Sequence, residues 1–135
     1  MEELIGKCIS RVFMNDEYLK FETDQGDIVY TAEGDCCSHS YFYDFLGIEK
    51  LKNGPVKSVE QIDLEKPDDD DSRPRDVVKA YGYRIITEDP QFGEVSSTMS
   101  FRNDSNGYYG GWLHLSNYAP AQLEEVTGDY SGGES

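Results

Sequence analysis

The stretch Asn106-Gly107-Tyr108-Tyr109-Gly110-Gly111-Trp112-Leu113-His114-Leu115 is the part of the sequence that says most about its fold. It follows a segment from Glu94 to Arg102 in which polar and apolar residues alternate, a pattern typical of a half-buried strand. Asn106-Gly107 favours the positive φ angles of a tight turn. The stretch therefore predicts the turn and second strand of a β-hairpin.

Side chains alternate between the two faces of an extended strand. The returning strand would place Tyr108, Gly110, Trp112 and His114 on one face, and Tyr109, Gly111, Leu113 and Leu115 on the other. Adjacent glycines weaken a strand unless a neighbouring ring or a ligand needs the space. Two interpretations stay open: an aromatic core face, or a platform on which a flat ligand stacks.

The candidate ligand site also includes two arginines. If a phosphate-bearing ligand binds to the aromatic and glycine residues at 108–114, Arg84 or Arg102 should meet it, because guanidinium groups bind phosphate in a bidentate manner. The complete candidate set is Tyr108, Tyr109, Gly110, Gly111, Trp112, His114, Arg84 and Arg102.

Further alternating segments predict strands at residues 5–14, 18–23, 28–32, 56–64 and 77–87. The first three are separated by short turns and should form an antiparallel meander. Between 38 and 47, apolar residues recur at helical spacing, and Gly47 could end a short helix. The expected fold is α+β: a mostly antiparallel, twisted sheet of about seven strands with one short helix on a face.

The domain boundaries follow from composition. Residues 1–126 are expected to form a single globular domain, and the Gly- and Ser-rich residues 127–135 a flexible tail. Within the domain, residues 65–76 contain two prolines and the run Asp68-Asp69-Asp70-Asp71, which predicts a mobile, solvated loop. This run lacks the alternating ligand spacing of a calcium loop. Its negative charge makes it a candidate protein-binding segment.

The chain carries 27 acidic and 12 basic residues, a net charge of −15. Direct binding to nucleic acid or to anionic membranes is therefore not expected, since both depend on Lys and Arg. A basic protein surface would be attracted. The sequence has neither a basic, apolar signal peptide nor an apolar run of about 20 residues, which predicts a cytoplasmic protein.

Cys8, Cys36 and Cys37 are expected to be free thiols, because vicinal cysteines rarely pair and no secretion signal is visible. A zinc site with His39 or His114 would be unusual, since structural zinc prefers spaced ligands. No set of residues with recognisable catalytic roles is present. We therefore expect neither a metal, nor a cofactor, nor an enzymatic activity.

The segment Asp35-Cys36-Cys37-Ser38 and the motif at 106–112 together resemble a family of small, uncharacterised phage and prophage proteins. The similarity would cover roughly residues 15–116. Relatives carry an acidic or Arg residue after the cysteine pair and histidines before Asn-Gly, whereas this chain has Ser38-His39 and Asn103-Asp104-Ser105 there. The resemblance implies a viral accessory protein that acts in the host cytoplasm. It says nothing about the chemistry of the protein.

Three functions remain as hypotheses. The favoured one is a non-catalytic, acidic protein that binds and inhibits a host protein with a basic surface, such as a defence protein. The alternative is a sponge that sequesters a small nucleotide signal in the aromatic and glycine region. A metal-dependent or thiol enzyme is the weakest, because no catalytic set is visible.

Overall fold

The computed structural model describes residues 1–34, 39–63, 77–105, 111–116 and 118–131. After a 3-10 turn at Glu2–Leu4, these described residues form ten strands and one short helix. The elements are β1 (Ile9–Met14), β2 (Tyr18–Thr23), β3 (Gly26–Gly34), β4 (His39–Leu46), α1 (Ile48–Leu51), β5 (Val56–Asp63), β6 (Val77–Asp89), β7 (Gly93–Ser105), β8 (Gly111–Ser116), β9 (Glu125–Val126) and β10 (Tyr130–Ser131).

The strands form two antiparallel sheets. The first has the order β8-β3-β2-β1-β9 and the second the order β10-β4-β7-β6-β5. The prediction of a mostly antiparallel fold with one short helix is confirmed, but a single sheet of about seven strands is wrong. Alternation in a sequence shows which side chains face the core, and it does not show into which sheet a strand is placed.

The opening meander follows the prediction. β2 has the predicted bounds and pairs with β1 on one side and β3 on the other. At the β1–β2 turn, the side chain of Asn15 accepts hydrogen bonds from the backbone N–H groups of Glu17 and Tyr18, both at 2.8 Å. Gly26 begins β3 with a φ of +112°, a conformation that residues with a Cβ rarely adopt. Local turn chemistry therefore sets this part of the fold.

The predicted hairpin between the strands around residues 94–102 and 108–115 is wrong. β7 lies between β4 and β6 in the second sheet, so it has no free side for β8. β8 instead pairs with β3 in the first sheet, with Trp112 opposite Glu33 and His114 opposite Thr31. Residues 106–110, including the predicted Asn106-Gly107 turn, lie outside the described residues.

The hairpin that β7 does form is with β6. Asp89 pairs with Gly93 at its end, and the Asp89 carboxylate accepts the backbone N–H groups of Gln91 and Phe92 at 2.7 and 3.0 Å. These two hydrogen bonds lower the pKa of Asp89. An Asx turn of this kind makes the connection as effectively as Asn-Gly would.

The helix predicted within residues 38–47 is also wrong, because this segment is β4. A bulge places one extra residue between the pairs Phe42–Phe101 and Asp44–Ser100. Phe42 and Phe45 consequently both face the core although they are three positions apart, and that spacing imitates a helix. Gly47 precedes the true helix, α1, with a φ of +78°.

The core lies between the two sheets. The rings of Phe21 from the first sheet and Phe45 from the second meet edge to face, with centroids 6.0 Å apart. Phe42 and Phe101 make a similar contact within the second sheet at 6.5 Å. Burying each such side chain contributes on the order of 1.5–3 kcal/mol. The fold is therefore a sandwich of two sheets held by an aromatic core.

The last described segment closes one side of the sandwich. β9 pairs with β1, and β10 pairs with β4 through Tyr130 opposite Phe45. The segment at 119–126 thus ends in an edge strand. The predicted tail at 127–135 contains β10, and residues 132–135 lie outside the described residues. The predicted acidic loop at 65–76 also lies outside them.

Candidate functional site

Trp112 and His114 project from the outer face of the first sheet. Leu113, between them, packs against the core, and both neighbours are exposed, Trp112 by 46%. The predicted alternation of Trp112 and His114 against Leu113 is therefore confirmed, and Trp112 is not part of an aromatic core face. Gly111 begins β8 opposite Gly34, whereas Tyr108, Tyr109 and Gly110 lie outside the described residues.

β8 is an edge strand with more exposed apolar surface than its length suggests. Leu115 is 48% exposed, and Tyr118, just past the end of the strand, is 63% exposed. Ser116 holds Tyr118 in place, since its hydroxyl accepts the Tyr118 N–H at 3.1 Å and donates to the Tyr118 carbonyl at 2.9 Å. Large apolar side chains that are exposed on and just after one edge strand mark this strand as a candidate interaction site.

Two residues of this region were missed by the sequence analysis. Tyr118 meets Tyr18 of β2 edge to face, with centroids 6.2 Å apart. Glu33 of β3 lies opposite Trp112 and accepts a hydrogen bond from the Thr31 hydroxyl at 2.7 Å. Only the pairing of β8 with β3 brings Glu33 there, and no local pattern in the sequence signals that pairing.

The two candidate arginines belong to the second sheet. Arg84 of β6 donates to the Glu60 carboxylate of β5 at 2.6 Å, across the strand pair. Arg102 of β7 places its guanidinium carbon 3.4 Å from the centre of the Tyr43 ring, a cation–π contact. The structure therefore assigns each arginine to a neighbour in its own sheet, while Trp112 and His114 lie in the other.

Arg102 has one atom that needs a partner. Its Nε is buried and, among the described residues, meets no hydrogen-bond acceptor. The neighbouring side chains at 103–110 lie outside the described residues. Nearby, the hydroxyl of Ser100 in β7 donates to the carboxylate of Asp44 in β4.

A cleft lies at the junction of β4, α1 and β7. Its volume is about 650 Å³, and its walls include Leu46, Glu49, Lys50, Thr98 and Asp129. The Asp129 carboxylate accepts the backbone N–H of Gly47 at 2.9 Å and so helps to shape one wall. The cleft mixes both signs of charge with hydroxyl groups, and none of the candidate residues from the sequence analysis lines it.

A second cleft, of about 270 Å³, lies beside the N-terminal turn and is lined by Met1, Glu2, Glu3, Val59, Gln61 and Tyr83. Next to it, the buried hydroxyl of Tyr30 donates to the Glu3 carboxylate at 2.7 Å. This hydrogen bond lowers the pKa of Glu3, while burial and the same bond raise the pKa of Tyr30. The pair attaches the N-terminal turn to the first sheet.

The thiol and metal candidates are only partly described. Cys8 is a free, exposed thiol just before β1. Cys36 and Cys37, and the side chain of His39, lie outside the described residues, as do Asp68, Asp69, Asp70 and Asp71. In the part of the chain that the structure describes, no group of three His, Cys, Asp or Glu side chains is arranged to hold a metal ion. The described part also contains no helix long and apolar enough to span a membrane.

Comparisons with known proteins give two matches. Residues 2–114 match the model of a family described as Domain of unknown function (DUF7448). An uncharacterised protein of Acanthamoeba polyphaga mimivirus is 37% identical over 118 residues, which cover 82% of this chain and 87% of that protein. No solved structure matches significantly. The expected resemblance to an uncharacterised viral family is confirmed, although the relative is a mimivirus protein and not a phage protein.

Proposed function

We propose that this chain, which belongs to the DUF7448 family and is similar to an uncharacterised mimivirus protein, is a non-catalytic viral accessory protein, of phage or other viral origin, that binds and blocks a host protein with a basic surface. The observation that carries this proposal is the exposure of Trp112 and Leu115 on the two faces of the edge strand β8, in a chain with a net charge of −15. Apolar anchors supply affinity, and the surrounding charge selects the partner.

The charge supports the choice of a basic partner. With 27 acidic and 12 basic residues, the chain attracts cationic surfaces over a distance of about 8 Å at physiological ionic strength. Several of its few cations are already paired, such as Lys57 with Glu94 and Arg84 with Glu60. The carboxylates therefore determine the field that an approaching protein meets.

The Asp68–Asp71 run is the candidate protein-binding segment from the sequence, and it can be tested by charge removal. Replacing these four residues by Asn changes the net charge from −15 to −11, since four carboxylates are lost. A matched control replaces four exposed carboxylates elsewhere by Gln: Glu49, Glu88, Glu124 and Glu125. Both variants have the same net charge, so they separate a local site from a general field.

The experiment captures partners from host-cell lysate at low and at physiological salt, and then measures association rates with the purified partner. We expect a basic partner whose association rate falls steeply with salt and falls further in the Asn variant than in the Gln control. Equal losses in both variants would remove the Asp68–Asp71 segment from the site. Capture of no basic protein at either salt would contradict the proposed function.

A second candidate function is the sequestration of a small nucleotide. The exposed Trp112, with His114 on the same face, favours it because an exposed ring can stack a base. The distribution of cations counts against it, since Arg84 and Arg102 are engaged in the other sheet. Trp112 is the only tryptophan, so quenching of its fluorescence by a panel of nucleotides tests this function directly.

A further inference from the structure

Among the described strands, the four at sheet edges differ in how well they are protected against the addition of another strand. β9 and β10 are two residues long and offer almost no backbone for pairing. β5 has a bulge between Val56 and Ser58 and carries the paired charges of Lys57 and Glu60. Short length, bulges and charged side chains are the devices by which proteins prevent another strand from joining a sheet.

β8 has none of these devices. It is six residues long, contains neither Pro nor Lys, and pairs with β3 from Val29–Ser116 to Gly34–Gly111 without a register shift. Among the described strands, β3 is its only neighbour. Alternate residues of β8 therefore direct their backbone N–H and C=O groups away from the sheet, where another strand could bind them.

We propose that β8 is the site at which an extended segment of the basic partner adds as a further antiparallel or parallel strand, with basic residues on the outer face and apolar residues on the inner face. This inference rests on the proposed function and names the surface and the conformation of the partner. Strand addition derives its affinity from main-chain hydrogen bonds and its specificity from alternate side chains.

The side chains of β8 determine which residues the added strand should carry. On the outer face, Trp112 offers a ring for a cation, and Glu33 lies one strand further in. On the other face, the half-exposed Leu115 and the core-packed Leu113 favour apolar neighbours. A segment in which Lys or Arg alternates with Val, Ile or Leu would satisfy both faces.

A second copy of this chain would be a poorer occupant of the same edge. Two chains of charge −15 repel each other, and β8 itself supplies no cation to offset that repulsion. A basic segment would instead be attracted electrostatically to the acidic chain. Sedimentation at working concentration should therefore show a monomer, and a dimer that is lost when Trp112 is replaced by Lys would overturn the proposal.

The test uses a synthetic peptide in which Lys alternates with Val, with Glu in place of Lys as the charge control. Two further versions carry N-methyl groups on alternate residues, in one phase or the other. A strand that pairs through one edge loses binding when that edge is methylated, and it keeps binding when the opposite edge is methylated. We expect one methylated peptide to bind about tenfold more weakly or worse and the other to bind like the parent.

Binding is followed by Trp112 fluorescence and by hydrogen exchange of the β8 amides, which should slow with the parent peptide. A protein variant, His114→Lys, places a repelling cation on the outer face of β8, and Ser58→Lys adds the same charge at the exposed β5 edge as a control. Only His114→Lys should weaken binding markedly. Equal binding of both methylated peptides, or no binding of the parent, would overturn strand addition. The proposed function fails on a different result, the absence of a captured basic protein.

Discussion

The two long edges of the sandwich, β5 and β8, are held in opposite ways. The N-terminal segment lies against β5, where Gly6 N–H donates to the Val56 carbonyl at 2.8 Å and Val56 N–H donates to the Lys7 carbonyl at 2.9 Å. Among the described strands, β8 is paired on one side only, by β3. At the β5 edge, the backbone N–H and C=O of Val56 already have hydrogen-bond partners within the protein. At the β8 edge, no described strand pairs with the outward-facing main chain.

This difference predicts which substitutions change the stability of the fold and which change the binding of a partner. Changes at the β5 edge should act on folding, because its groups have partners within the protein. Changes on the outer face of β8 should act on binding, because its exposed side chains contribute little to the core.

Gly54→Ala should be the most damaging single change at the β5 edge. A Cβ at Gly54 would lie 1.7 Å from the backbone carbonyl oxygen of Glu88, so the chain before β5 must move away from β6. We expect a loss of about 3 kcal/mol in the free energy of unfolding, measured by urea denaturation. Gly128→Ala is the matched control, since a Cβ there meets nothing within 4 Å. Equal stabilities for the two variants would show that the β5 edge is not fixed as described.

Leu113→Ala and Trp112→Ala compare the two faces of β8. Leu113 packs against the core, so its truncation should cost about 2 kcal/mol. Trp112 is half exposed, and its loss should cost less than about 1 kcal/mol while it abolishes the binding of a partner at this edge. Thermal melts and binding assays on the same samples provide the measurement. A larger loss of stability for Trp112→Ala than for Leu113→Ala would assign Trp112 to the core.

The contact between Glu3 and Tyr30 predicts a pH dependence at the N-terminal turn that leads to β5. The pKa of Glu3 is lowered from its usual 4.5, so the contact stabilises the fold above that pH and is lost as the pH falls through the lower folded value. Because the carboxylate is half exposed, the effect should stay below about 1 kcal/mol.

Urea midpoints measured from pH 6 down to pH 3, a range that spans about one to two units on each side of the ordinary carboxyl value, report this contribution. Glu3→Gln should remove part of the acid sensitivity, and Glu2→Gln, an exposed neighbour in the same turn, should leave it in place. An unchanged acid dependence in Glu3→Gln would mean that Glu3 does not hold the turn.

Arg84→Ala should have the smallest effect. Its bond to Glu60 joins two exposed side chains at the β5 edge, and pairs of this kind contribute about 0.5 kcal/mol or less. A double-mutant cycle with Glu60→Gln isolates the pair. If Arg84→Ala instead abolished the binding of a nucleotide, the stacking platform with an arginine would return as the better hypothesis.

The sequence was most informative where interactions are local. The meander from β1 to β3 follows from alternation and from turn residues such as Asn15 and Gly26, whose effects act within a few positions. The helix prediction failed because a bulge shifted Phe45 by one position relative to Phe42, and a bulge depends on the partner strand.

The candidate site shows the same limit. That Trp112 and His114 share one face of β8 follows from alternation and was predicted, whereas alternation left open whether that face is buried or exposed. The placement of Arg84 and Arg102 could not be predicted, because it depends on whether β8 joins β7 or β3. That choice is made by the free side of β3 and by the occupied sides of β7, which are properties of the assembled sheets.

The short strands β9 and β10 have a consequence for the order of folding. They pair with Phe13 and Phe45, which precede them by more than half of the chain, so each pairing must close a long loop. Until these two strands pair, β1 and β4 each keep one open edge. Their pairing should therefore be a late and slow step in folding, and an intermediate that lacks it is exposed to misassociation through those edges.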